Sequence, residues 1–202
     1  MYWMTKEEEN KEEIKNPYFG DKSSDSNIEV INNHIYFYSE IKRNSILTLN
    51  KKIKELETKL LGYADSMEWE PPGIFLHINS FGGSVFAGIA AMDQIIKCKI
   101  PIYTVIDGCA ASAATFLSVV GRKRFINKHA HVLIHQLSSG FWGKFSQIED
   151  EMKNLKKLMK MIKNVYLDNT KITKKQLDKI LNHDLWLNAE EALEYGLVDE
   201  IM

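Results

Sequence analysis

The sequence is poor in cysteine and carries almost no net charge. Its 202 residues include two cysteines, Cys98 and Cys109, and both lie in apolar segments. Neither a disulfide-stabilised secreted domain nor a cysteine-based zinc site is therefore indicated. Lysine and arginine total 26, against 27 aspartates and glutamates. Since nucleic-acid-binding proteins normally carry a basic excess, we expect no nucleic-acid partner.

Long apolar runs are lacking too. No segment approaches the ~20 apolar residues that span a bilayer, so we expect no membrane association. The first residues are charged where a signal peptide is apolar, and thiols in apolar surroundings are typical of a reducing compartment. These features predict a cytoplasmic location. Nothing has the spacing of a P-loop or a dinucleotide-binding turn, so we expect neither a cofactor nor a bound nucleotide.

The chain divides into a polar arm and one folded domain. Residues 1–29 hold many charges and serines, which predicts a mobile or divergent N-terminal arm. In residues 30–202, short apolar segments alternate with helical patterns, which predicts the α/β class with a mostly parallel sheet. Asn188 and Glu191 have the spacing of a capping box. We expect strands over 34–38, 74–78, 100–106, 124–126 and 131–134, and helices from 44, over 85–96, 110–119 and 144–169, and from 173 and 188.

A glycine turn follows the predicted strand over 74–78. Gly82 and Gly83 stand just before the predicted helix that begins at residue 85. Backbone N–H groups in such a turn lie at a helix N-terminus, where they can bind a negatively charged oxygen. The alternative interpretation is a tight turn that simply requires glycine.

Ser112 is the candidate nucleophile. It lies in a run of small residues, 108–114, which leaves room for a carbonyl group beside its hydroxyl. A serine attacks a carbonyl only when a base takes its proton and a carboxylate orients that base. The alternative is a serine that caps the start of a helix.

His135 is the candidate base among the six histidines. It ends a predicted buried strand, and sites in α/β sheets assemble at the carboxyl ends of strands. Asp184 lies in a polar break after a predicted helix, where it either orients the base or forms a turn. His129 and His131 invite a metal interpretation. In a strand, however, His129 and His135 would lie about 20 Å apart, so they cannot share a metal, and we expect none.

Four motifs, in this order, are similar to motifs of the ClpP serine peptidases. They are the turn at 78–83, the serine segment at 108–112, the histidine segment at 134–136 and the closing segment at 184–199. Together they make the chain from residue 31 onward resemble that family. The resemblance implies an α/β, crotonase-like ClpP fold of repeated ββα units with a helical handle. It also implies that residues 30–202 form a peptidase domain.

The positions that match the family's motifs imply roles for individual residues of this sequence. It implies that Ser112 is the nucleophile, that His135 is the general base and then acid, and that Asp184 orients His135. The backbone N–H groups of Gly83 and Ala113 would form the oxyanion hole. The implied activity is that of a serine endopeptidase that cleaves peptides and unfolded proteins without a cofactor.

The resemblance also implies an assembly. ClpP peptidases form two stacked heptameric rings that enclose the active sites, and they work with a separate AAA+ unfoldase. The helix at 144–169 would be the handle that joins the rings. Phe81 and Leu137 stand where the family usually has proline, and we expect both, with Phe86, to border the substrate cleft. The arm at 1–29 does not resemble the usual N-terminus of the family, which leaves the identity of the unfoldase open.

Three other interpretations remain. A non-catalytic scaffold subunit of a ClpP-like complex commonly lacks a triad member, whereas this chain keeps all three. A phage-type capsid maturation peptidase shares the fold and triad but acts without an unfoldase. An acyl-CoA enzyme of the wider crotonase fold would use backbone donors without this triad. Fold alone does not separate such functions.

Overall fold

The computed structural model describes residues 27–68 and 70–202. Most of the predicted arm, residues 1–26, lies outside the described residues. The first strand, β1 (Ile28–Ile31), begins two residues before the domain boundary predicted at residue 30. Ile28 is buried and lies opposite Phe37 in the next strand, so these contacts place it in the folded domain.

Strands and helices alternate along the described chain, as predicted. The other strands are β2 (His34–Phe37), β3 (Ile74–Ser80), β4 (Ile102–Ala111), β5 (Arg124–Ile126), β6 (His131–Leu133), β7 (Trp186–Leu187) and β8 (Glu200–Ile201). The helices are α1 (Arg43–Met67), α2 (Val85–Lys97), α3 (Ala114–Val119), α4 (Phe145–Asn169), α5 (Lys174–Leu181) and α6 (Ala189–Glu194).

One sheet holds the strands of the described residues in the order β1-β2-β3-β4-β5-β8, with β6 and β7 on a branch from β4. The pairs β1/β2 and β6/β7 are antiparallel, and the other pairs are parallel. The prediction of a mostly parallel sheet is confirmed. Parallel neighbours need crossover connections, which α1, α2 and α3 supply between β2, β3, β4 and β5.

The central strand β4 changes partner along its length. Residues 104–106 pair with β5, and residues 109–111 pair with β6. The sequence predicted that this strand ends at 106 and that a helix begins at 110, and that prediction is wrong. The small residues 108–111 remain extended because β6 pairs with them on one side and Ser80 of β3 lies opposite Ala110 on the other.

The main core lies between the sheet and its crossover helices. Along β3, buried residues alternate with half-buried ones, so that Ile74, Leu76 and Ile78 share the core face. The helices α1, α2 and α3 bury apolar side chains in the same cluster. Near the C-terminus, Asn188 and Glu191 exchange two hydrogen bonds of 2.9 Å, so the predicted capping box at the start of α6 is confirmed.

The helix α4 is only half integrated into the core. Its carboxyl-terminal half buries Ile162, Val165 and Tyr166. Near its start, Phe145 is 76% exposed, and Trp142 just before the helix is 96% exposed. Large apolar side chains exposed together are typical of an interaction surface.

Candidate active site

The carboxyl ends of β3, β4 and β6 meet at one edge of the sheet. Ser80 of β3 lies opposite Ala110 of β4, and Ala111 lies opposite Leu133 of β6. Because these three strands are parallel, the residues that follow them become neighbours. Those residues are the glycine turn at 82–83, Ser112 and His135. The sheet therefore brings the predicted nucleophile, base and oxyanion turn to one place.

Ser112, His135 and Gly83 line one cavity of about 70 Å³. Leu137 and Tyr166 contribute to its wall. His135 is half-buried, so its ring remains accessible from the cavity. The backbone N–H of Leu137 lies 3.5 Å from Sδ of Met159 in α4, which ties the segment after His135 to that helix.

Ser112 has a left-handed backbone conformation, with a φ of 54°. This conformation costs a residue other than glycine about 1–2 kcal/mol, so surrounding contacts must hold it. The N–H of Ser112 donates to the carbonyl oxygen of Leu133 at 2.9 Å, and its own carbonyl accepts from the N–H of Thr115 at 3.0 Å. A sharp turn of this kind between strand and helix exposes a serine hydroxyl at the end of the sheet.

Gly82 packs directly against Ser112. A Cβ at Gly82 would lie 2.7 Å from the Cβ of Ser112 and 2.6 Å from the carbonyl oxygen of Ala111. The φ of Gly82 is 94°, a conformation that residues with side chains rarely adopt. Glycine is therefore required here by the close approach of the turn to the candidate nucleophile.

The backbone N–H groups of Gly83 and Ala113 are the predicted oxyanion donors. Ile41 fixes the glycine turn, since its N–H donates to Gly82 and its carbonyl accepts from Ser84, both at 2.8 Å. Within the described chain, no hydrogen bond uses the N–H of Gly83 or of Ala113. Both groups are therefore unused as donors in the described chain, as the predicted role requires.

Asp184 approaches His135 through strand register but does not contact it. In the antiparallel pair of β6 and β7, Leu133 lies opposite Trp186. Continuing this register by two residues would place Asp184 opposite His135. Asp184 is exposed, and among the described residues no hydrogen bond or ion pair joins it to His135 or joins His135 to Ser112. The structure thus brings two of the three predicted triad residues, Ser112 and His135, into the lining of one cavity, and Asp184 is not part of that lining.

An aromatic pair borders the site. The rings of Phe81 and Trp186 meet edge to face, with centroids 6.2 Å apart, and both are partly exposed. Trp186 was not predicted from the sequence as a site residue, because only the pairing of β7 with β6 brings it to the glycine turn. Of the other residues predicted to border the cleft, Leu137 lines the cavity, whereas Phe86 is exposed on α2 and is not part of the lining.

A second polar cluster joins β2, β3 and β4, and none of its members lines the cavity. Nδ1 of His34 lies 2.9 Å from Nε2 of His77, and Nδ1 of His77 lies 3.0 Å from Oδ2 of Asp107. The hydroxyl of Tyr38 and the amide of Asn127 also donate to the Asp107 carboxylate, at 2.5 and 3.1 Å. Since an ionised carboxylate only accepts, Nδ1 of His77 is the donor in its contact with Asp107.

This cluster changes the acidity of several of its members, among them His34 and Asp107. Burial, and secondly the neighbouring His77, lower the pKa of His34. Burial alone would raise the pKa of Asp107. The hydrogen bonds from His77, Tyr38 and Asn127 outweigh that effect, so the pKa of Asp107 lies below its usual range.

Within residues 27–68 and 70–202, no three histidine, cysteine, aspartate or glutamate side chains are arranged to hold a metal ion. In the same ranges, no helix combines the length and the apolar composition that crossing a membrane requires. Cys98 and Cys109 are free thiols.

The family model of the Clp protease matches residues 30–202. The chain belongs to the Clp protease family. It is similar to the ATP-dependent Clp protease proteolytic subunit 2 of Treponema denticola, with 36% identity over 155 residues, which cover 76% of this chain and 77% of that protein. It is also 36% identical over 148 residues to the ATP-dependent Clp protease proteolytic subunit 1 of Chlamydia trachomatis, covering 71% of this chain and 77% of the relative.

A solved structure shows the same Clp protease fold. A mutant of ClpP1 from Listeria monocytogenes superposes with a TM-score of 0.73 and 27% sequence identity, covering 85% of this chain and 91% of that one. The predicted ClpP fold is thereby confirmed, and so is the resemblance to ClpP-type peptidases that the four motifs indicated.

Proposed function

We propose that this member of the Clp protease family is a serine endopeptidase in which Ser112 is the nucleophile, His135 the general base and Asp184 the orienting carboxylate. The observation that carries the proposal is the convergence of three parallel strand ends on one cavity lined by Ser112, His135 and Gly83. Relatives named as proteolytic subunits support the same chemistry. They also favour this function over capsid maturation.

The reaction follows from the order of groups around the cavity. His135 takes the proton of the Ser112 hydroxyl as Oγ bonds to the carbonyl carbon of a peptide. The carbonyl oxygen becomes an oxyanion, and the N–H groups of Gly83 and Ala113 donate to it. When this intermediate collapses, the C–N bond breaks and His135 returns the proton to the leaving amine. Water then cleaves the acyl-enzyme by the same steps.

Asp184 joins the triad when its segment closes on His135. The β6–β7 register supports this role, because continuing it by two residues would put Asp184 opposite His135. The exposed residues 182–185, which lie between α5 and β7, would move in this closure. We assign this displacement to assembly, since contacts between copies can restrain a segment that is exposed in the single chain.

The proposed assembly is two stacked heptameric rings that enclose the active sites. The relatives are named as subunits, and the exposed apolar half of α4 with Trp142 offers a surface for contact between copies. In this arrangement α4 is the handle that joins the rings. Loss of exposed apolar area on association supplies the driving force.

The proposed partner is a separate AAA+ unfoldase. The names of the relatives include "ATP-dependent", whereas this sequence has no P-loop spacing. The unfoldase would spend ATP to deliver unfolded proteins, while short peptides enter the chamber unaided. The cytoplasm is the proposed location.

Replacement of the nucleophile tests the proposed chemistry. Wild-type protein should cleave a short fluorogenic peptide without ATP and should be labelled by a serine-reactive phosphonate. Ser112→Ala should do neither while keeping its oligomeric size, because only one oxygen atom is removed. Ser139→Ala, which changes an exposed serine in the segment after His135, is the matched control and should keep both activities. Wild-type turnover by Ser112→Ala would contradict the assignment.

A comparison of substrates tests the closed chamber. Without an unfoldase, the wild type should cleave the short peptide and leave a stably folded fluorescent protein intact, because a folded domain is too large to enter. Fluorescence and gel electrophoresis over the same time course measure both outcomes. Rapid loss of the folded substrate would show that the active sites are open to solvent.

A further inference from the structure

The helix α4 reaches the candidate nucleophile through one buried tyrosine. Tyr166 is 1% exposed, and its ring lies beside Phe116 of α3. Its hydroxyl oxygen lies 2.6 Å from Oγ1 of Thr115, which is also fully buried. Thr115 follows Ser112 by one helical turn, so this contact connects α4 to the turn that presents Ser112.

The direction of the hydrogen bonds can be assigned. Oγ1 of Thr115 lies 2.6 Å from the carbonyl oxygen of Ser112, and a carbonyl oxygen only accepts. The single hydroxyl proton of Thr115 therefore points to Ser112, so Tyr166 must donate to Oγ1 of Thr115. Burial raises the pKa of Tyr166 far above its ordinary value, which keeps this donor protonated. The result is one directed chain from Tyr166 through Thr115 to Ser112.

This chain of hydrogen bonds ends at the backbone of Ser112, whose conformation must be held by its surroundings. Ser112 has a φ of 54°, in the left-handed region that a serine rarely adopts. Its carbonyl oxygen receives two hydrogen bonds from Thr115, one from N–H at 3.0 Å and one from Oγ1 at 2.6 Å. The N–H bond belongs to the helical turn itself, whereas the hydroxyl bond is specific to the side chain at position 115.

We propose that Thr115 and Tyr166 are positioning residues that hold the backbone of Ser112 in its left-handed conformation and so aim its hydroxyl at the cavity. This role rests on the proposed function, in which Ser112 is the nucleophile. Tyr166 orients the Thr115 hydroxyl, and Thr115 fixes the Ser112 carbonyl. Since Tyr166 belongs to α4, a displacement of that helix changes the aim of the nucleophile.

The test removes the side-chain hydrogen bonds while keeping side-chain volume. Thr115→Val replaces the hydroxyl by a methyl group, Thr115→Ser keeps the hydroxyl, and Tyr166→Phe removes only the outer donor. Thr104→Val is the matched control. Thr104 is equally buried, and its Oγ1 donates to a backbone carbonyl at 2.7 Å, but that carbonyl belongs to Ser118 and not to the nucleophile.

For each variant, kcat and KM for a short peptide are measured separately, together with the rate of labelling by an uncharged phosphonate ester. Thr115→Val should lower kcat and the labelling rate about tenfold to a hundredfold with little change in KM, because a small misplacement of the nucleophile affects the chemical step. Thr115→Ser should restore most of the loss, and Tyr166→Phe should show a smaller loss. Thr104→Val should keep the kcat of the wild type, even if its thermal unfolding temperature falls by as much as that of Thr115→Val.

Failure of this proposal is distinguishable from failure of the proposed function. Wild-type turnover by Ser112→Ala would overturn the function itself, and the positioning role with it. Full kcat in Thr115→Val and Tyr166→Phe, beside an inactive Ser112→Ala, would overturn the positioning role alone. Equal losses of kcat in Thr104→Val and Thr115→Val would also overturn it, because the effect would then follow stability. If Thr115→Val does not fold, Tyr166→Phe tests the positioning role through the same measurements of kcat and of the labelling rate.

Discussion

The backbone N–H of Ser112 donates a hydrogen bond of 2.9 Å to the carbonyl oxygen of Leu133. This bond continues the pairing of β4 with β6 one residue beyond the end of β4. His135 follows Leu133 by two residues, just beyond the end of β6, so the pairing of β4 with β6 sets where the segment that carries the candidate base begins. The same register, extended to β7, carries Asp184 toward them.

A methyl group at Gly82 should disturb the nucleophile directly. Gly82→Ala places a Cβ 2.7 Å from the Cβ of Ser112 and 2.6 Å from the carbonyl oxygen of Ala111, at a φ of 94°. We expect a stability loss of about 1–3 kcal/mol and a large loss of peptide turnover. Urea unfolding and peptide hydrolysis measure the two effects. Gly140→Ala is the control, since a Cβ there meets nothing within 4 Å, and equal behaviour of the two variants would argue against the contact.

Replacement of Asp184 should leave a folded but slow enzyme. Asp184→Asn keeps the shape of the side chain but favours the wrong tautomer of His135, so kcat should fall by about three to four orders of magnitude. Asp178→Asn is the control. It removes an aspartate in the neighbouring α5 that pairs with Lys163 at the protein surface, and peptide turnover should remain that of the wild type. Undiminished kcat in Asp184→Asn would remove this residue from the triad.

The cluster around His77 should make stability fall in two steps on acidification. The pKa of His34 is lowered in the folded protein, so the unfolded chain binds a proton first and stability falls as the pH drops below about 6.5. The pKa of Asp107 is also lowered. Its contribution is present above the ordinary aspartate pKa of about 3.9 and is lost as the pH falls below that value.

Two variants separate these steps in urea unfolding curves measured from about pH 8 down to pH 3, a range that covers both ordinary pKa values. His34→Gln should reduce the upper step, because glutamine does not titrate. Tyr38→Phe should alter the lower step, because Asp107 loses a donor at 2.5 Å. If the fall in stability below about pH 6.5 persists unchanged in His34→Gln, a group other than His34 takes up the proton.

Charged substitutions on the exposed start of α4 should prevent assembly. Trp142→Glu and Phe145→Glu place carboxylates where two large apolar side chains, 96% and 76% exposed, would otherwise be buried between copies. Sedimentation should show smaller particles, and peptide turnover should fall if assembly closes Asp184 on His135. Lys156→Glu, which changes an exposed residue of the same helix, should keep the particle size. Assembly of both glutamate variants at the wild-type size would move the interface elsewhere.

Sequence by itself determined most of the elements, the family and the capping box of Asn188. These features are local, since hydrophobic periodicity, turn residues and short motifs lie within a few positions of one another. The extension of β4 through Ala111 was not local. Its small residues are typical of the start of a helix. They are extended instead because they pair with β6, and pairing with a neighbouring strand overrides a weak intrinsic propensity.

Only the tertiary structure decided the contacts between distant residues. Tyr166 and Thr115 are 51 positions apart, and no pattern around either residue indicates that they share a hydrogen bond. The polar cluster of His34, His77 and Asp107 likewise depends on the register of three parallel strands, β2, β3 and β4. A one-residue change in register would turn each of these side chains to the opposite face of the sheet, and that register is set by burial of the whole core.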